Sequence, residues 1–95
     1  MQTQATKNKP QRIALCVRDT GDIFSLGIFT DMEKAWGRIM LDIWGLAYDY
    51  QDPKDEFKIG LPDIDDYGDP FIEIEFKHHS WNKSTKKEYR IISTN

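Results

Sequence analysis

Two adjacent histidines (His78-His79), a single cysteine (Cys16) and sixteen carboxylates are the groups in this chain that could hold a metal, attack an electrophile or move a proton. Successive residues of a strand point to opposite faces. His78 and His79, at the end of an alternating apolar run, are therefore not expected to converge on one ion by themselves. Cys16 lies inside the apolar run Arg12–Arg18, the setting of a buried and inert thiol rather than a nucleophile. No Ser/His/Asp arrangement, glycine-rich phosphate loop or zinc-ligand spacing occurs. Asp63-Ile64-Asp65-Asp66-Tyr67-Gly68-Asp69 begins like a calcium loop, but its fifth position is Tyr67 and its twelfth is Ile74, so it reads as a turn. These residues imply no catalytic group, no metal ligand and no cofactor.

One spacing does carry a possible chemistry. Pro62-Asp63, eleven residues, then Glu75-Phe76-Lys77 resembles the PD-(D/E)xK nuclease signature. The resemblance covers about sixteen residues and implies that Asp63 and Glu75 hold a divalent cation, usually magnesium, while Lys77 stabilises charge at a scissile phosphate. The nuclease core continues with a second helix and a further strand. Here only eighteen residues follow Lys77, and they have the pattern of half a hairpin.

The elements that must position these groups are legible from periodicity. Arg12–Arg18 is apolar on both faces, with Ile13, Leu15 and Val17 on one and Ala14 and Cys16 on the other, the pattern of a central strand. Asp19-Thr20-Gly21-Asp22 is a turn, and Ile23–Phe29 alternates again, with Phe24, Leu26 and Ile28 sharing a face. Thr30 with Glu33 has the capping-box spacing. From there Met32, Ala35, Trp36, Ile39, Met40, Ile43, Leu46 and Ala47 form a helical apolar stripe. Short strands follow at Phe57–Leu61, Phe71–His78 and Glu88–Ser93. In the last-but-one, Ile72, Ile74 and Phe76 oppose Glu73, Glu75 and Lys77. The expected fold is a single α+β domain over residues 12–95, an antiparallel sheet of about five strands in ββαβββ order with one amphipathic helix packed on one face. Residues 1–11 read as a flexible N-terminal arm.

At 95 residues there is room for one core. The longest apolar run is far short of a membrane span, the N-terminus is polar, and one cysteine leaves no internal disulfide; a cytoplasmic setting is expected. The formal net charge of −3 excludes a generic basic nucleic-acid binder, but it hides a partition. Residues 48–75 hold ten acids against Lys54 and Lys58, whereas residues 1–18 hold four cations and no acid. If the strands at 57–61 and 71–78 pair, Asp63, Asp65, Asp66, Asp69, Glu73 and Glu75 draw an acidic stripe along one edge. Such a stripe resembles a run of backbone phosphates and would suit a basic nucleic-acid groove on a partner protein; Asp-rich solvated turns have the same composition.

Leu41, Trp44 and Tyr48 form a second helical stripe, to be covered by a loop aromatic such as Tyr50 or Tyr67, or by another chain. Trp81, in a basic loop, is a further candidate anchor. The expected function is a small non-enzymatic protein-binding module. In its sharper form it is an inhibitor of the kind that phages and mobile elements encode, as anti-CRISPR proteins are, blocking a nucleic-acid-binding groove through the acidic stripe. Trp44, Tyr48 and Trp81 would be its aromatic contacts. The alternatives are the metal-dependent nuclease and a homodimeric structural or regulatory module. Neither nucleic acid nor membrane is expected as a direct ligand.

Overall fold

A computed structural model describes residues 11–94, and the arm expected over residues 1–11 lies outside them except for Gln11. The order is β1 (Gln11–Arg18), β2 (Ile23–Phe29), α1 (Met32–Asp49), β3 (Glu56–Ile59), β4 (Asp63–Ile64), β5 (Pro70–Lys77) and β6 (Thr85–Thr94). All strand pairs are antiparallel, in one sheet of order β2-β1-β6-β5-β3, and the two-residue β4 pairs β5 alongside β3. The α+β class and the single covering helix are as the periodicity predicts. The sheet has six strands because β4 emerges from the Asp-rich stretch, and the last strand enters between β1 and β5.

Helix α1 begins one residue later than the Thr30 capping box implies. Asp31 has extended dihedrals and its Oδ1 accepts the Glu33 N–H at 2.9 Å, so Asp31 is the cap. Ala35, Ile39 and Ile43 turn inward onto Ala14 and Cys16 of β1, Ile72, Ile74 and Phe76 of β5, and Tyr89 and Ile91 of β6, all buried. The helix thus covers the small residues of β1, not its branched ones. Ala14 and Cys16 are core. Ile13, Leu15 and Val17 lie on the uncovered face instead, because small side chains let a helix approach the sheet closely.

A β-bulge between β1 and β2 explains a second difference. The register steps from Ala14↔Gly27 to Leu15↔Ser25, leaving Leu26 extra. Leu26 packs toward the core while Ile28 moves to the open face, so the expected Phe24/Leu26/Ile28 face is broken. Gly27 supports the bulge with φ of 149°, and a Cβ there would stand 2.8 Å from the Phe29 ring.

Beyond the helix, Tyr50 closes the far end of the core, its ring tilted against Phe76 with centroids 4.9 Å apart, with Phe57 and Trp81 completing an aromatic cluster. The buried Tyr89 hydroxyl donates to Asp42 and ties β6 to α1. Burial and the Asp42 carboxylate push the Tyr89 phenol well above its ordinary pKa, so it stays a donor. The Cys16 thiol is buried, and burial likewise raises it.

Candidate functional site

The acidic residues separate into two groups once they are placed. Asp65 organises its own turn: its carboxylate accepts the N–H groups of Tyr67 and Asp69, each at 2.9 Å, and pairs with Arg90 of β6. Those contacts, the Asp69 N–H foremost, hold its carboxyl below the usual range. Glu75 accepts the Ser84 hydroxyl and lies between Lys58 and Lys86, its partners on the two neighbouring strands, and it too is lowered, first by Ser84. Both acids are committed inside the fold. Asp63, Asp66, Asp69 and Glu73 form no ion pair among the described residues. Glu73 even stands opposite Glu88 across β5 and β6. Lys58 and Lys86 beside Glu75, and Arg90 beside Asp65, interrupt the row of acids.

The nuclease-like spacing does not close into a metal centre. Asp63 pairs with Phe71, four residues along β5 from Glu75. At about 3.3 Å per residue the two carboxylates start roughly 13 Å apart, several times the separation two ligands of one ion can have. Glu75 and Lys77 do share a face of a strand, so half of the signature is met, and the half that would hold the cation is not.

The second helical stripe remains uncovered. Leu41, Trp44 and Tyr48 are 61%, 63% and 71% exposed. Tyr50 caps the core rather than the stripe, and Tyr67 stands free in its loop, so the expected wrapping does not occur. Leu41 and Trp44 line an open, almost wholly apolar groove of about 670 Å³ with Phe29, Gly37, Met40 and the stems of Lys34 and Arg38. At Phe29 the groove meets the end of β2, an edge strand whose seven residues, IFSLGIF, include neither charge nor proline. On its other side Ile23 and Ile28 are exposed next to Ile13, Val17 and Ile92. That Ile28 joins this exposed group follows from the bulge, whose one signal in the sequence is Gly27, since an interior strand glycine marks a bulge. The opposite edge, by contrast, carries Glu56 and Lys58 and is broken at Gly60 to Pro62. Trp81 rests largely on Tyr50, Phe76 and His78 and so is only partly available to a partner.

The histidines correct a premise. Strand β5 ends at Lys77, so side-chain alternation no longer separates His78 from His79, and their rings stack with centroids 4.1 Å apart. Asp55, from the loop after α1, reaches both the His79 backbone N–H and its ring Nδ1, each at 2.8 Å. Its side chain is only 3% exposed. The His79 hydrogen bond is the main cause holding the Asp55 carboxyl below its ordinary value. Nothing local in the sequence pairs positions 55 and 79.

No helix among the described residues is long and apolar enough to cross a membrane. Comparisons with protein-family models, with curated proteins and with solved structures find no match to this chain.

Proposed function

We propose that this is a non-enzymatic protein-binding module of a reducing, cytoplasmic setting, whose contact surface is the apolar groove of Phe29, Leu41 and Trp44 beside the β2 edge. The observation that carries this reading is the exposure of Leu41 and Trp44 on a helix that has already buried its other face. Tryptophan anchors in shallow apolar grooves dominate many interfaces, and an unguarded edge strand offers backbone groups next to them.

The four acids that form no ion pair among the described residues favour a second reading. Asp63, Asp66, Asp69 and Glu73 would occupy a basic groove on a nucleic-acid-binding protein, in the manner of a phage or mobile-element inhibitor. Keeping Glu73 opposite Glu88 costs stability, which is consistent with a use for that charge. The groove and this stripe lie on opposite faces of the sheet, so a partner docking flat on one leaves the other open.

Capture from the source organism with three baits separates the readings. A protein held by the wild type, lost to L41E/W44E and kept by D63N/D66N/D69N/E73Q supports the groove. The reverse pattern, with affinity falling steeply as salt rises, replaces it with the acidic surface. If all three baits retain the same proteins, both surfaces are excluded.

A further inference from the structure

We propose that Asp55, His78 and His79 form a binding site for a divalent transition-metal ion of the zinc class, which clasps the loop after α1 to the turn after β5. One donor atom from each residue lies within 4.8 Å of the others. Bonds of about 2.1 Å place the donors of a tetrahedral ion near 3.4 Å apart, so loading requires a closure of the order of 1 Å. His79, whose side chain is 41% exposed, has room to make it, and the enclosed Asp55 supplies the fixed point.

The hydrogen bonding prepares the ligands. Asp55 Oδ1 and His79 Nδ1 stand 2.8 Å apart with the ring proton between them, and the ion takes that proton's place, so that both atoms become ligands. Nδ1 of His78 accepts the Ser80 backbone N–H at 3.1 Å and stands 2.6 Å from Ser80 Oγ, so ligation through Nε2 first moves the ring proton to Nδ1, where Ser80 Oγ accepts it. Two imidazoles and one carboxylate suit zinc, cobalt, nickel or copper and are poorly matched to magnesium or calcium. Water completes the coordination, so micromolar affinity is expected rather than that of a closed structural site.

These are the only two histidines in the chain, which makes the test clean. Untagged full-length protein is titrated with zinc while thermal stability is followed, and with nickel while tryptophan emission is followed. Trp81 lies 5.9 Å from the His78 ring and should report the ion by partial, saturable quenching. The expected result is one ion per chain and a rise of about 10 °C at a hundredfold excess of zinc over Kd. Affinity should fall at least tenfold in H78Q and in H79Q, both of which keep the wild-type circular dichroism. Magnesium and calcium should produce no such rise. Absence of saturation below ~1 mM zinc overturns the proposal; so does unchanged binding in H78Q/H79Q, or an equal effect of magnesium.

Discussion

The hydroxyl of Tyr89 is the most consequential polar atom of the interior, because the buried ring reaches across from the sheet to hydrogen-bond Asp42 on the helix. Tyr89→Phe is expected to cost about 1.5–3 kcal/mol in urea unfolding, the worth of a hydrogen bond to a charged acceptor. Asp65 governs a different property. Its carboxyl titrates lower in the folded chain than in the unfolded one, so its contribution is fully present above the ordinary carboxyl range and is lost as pH falls through the lowered folded value. Asp55 and Glu75 are displaced in the same direction and act alike. Stability should therefore decline below about pH 5, and D65N should be less stable than wild type at neutral pH yet decline less on acidification. At this scale the sequence spoke unevenly. It marked Cys16 as a buried thiol and the Asp-rich stretch as a turn. It could not distinguish Asp65, which serves its own turn and Arg90, from Asp66 beside it, because that depends on β6 arriving from twenty-five residues away.

Helix α1 has one face in the core and one in water, and the two should respond in opposite ways. Ile39→Ala is expected to lose about 2–5 kcal/mol by leaving a cavity, whereas Trp44→Ala should change stability by less than about 0.5 kcal/mol. A large loss at Trp44 would mean that its ring is covered. In β2, Gly27→Ala should destabilise by roughly 1–3 kcal/mol, since alanine tolerates the φ of 149° poorly and its Cβ meets the Phe29 ring; denaturant midpoints measure this directly. The elements themselves were readable because α1 and β5 repeat at clear periods of 3.6 and 2. Which face of β1 meets the helix was not readable, as both faces are apolar and nothing in the run ranks close approach above side-chain volume. One bulge residue at Leu26 was enough to reassign Ile28.

At the scale of the molecule, a two-layer fold leaves a sheet face and a helix face both open to other chains. Their chemistry differs. The open half of the sheet formed by β5 and β6 is charged in both signs, with Glu73, Glu75, Lys86, Glu88 and Arg90 interleaved, and it suits a partner reached through long-range attraction. The groove beside β2 is apolar and gains most from exclusion of water. The histidine and aspartate cluster lies apart from the groove, at the turn after β5, so a bound ion would stiffen the fold without occupying the contact surface.

The most direct measurement is photo-cross-linking inside the source organism, with a benzophenone amino acid placed at Leu41, at Tyr48 or, on the opposite edge, at Lys58. The groove reading predicts one and the same protein adduct from positions 41 and 48 and none from position 58. An adduct from position 58 alone, or none at all from 41 and 48, would contradict it, and an adduct of twice the chain mass would make the partner a second copy of the protein itself.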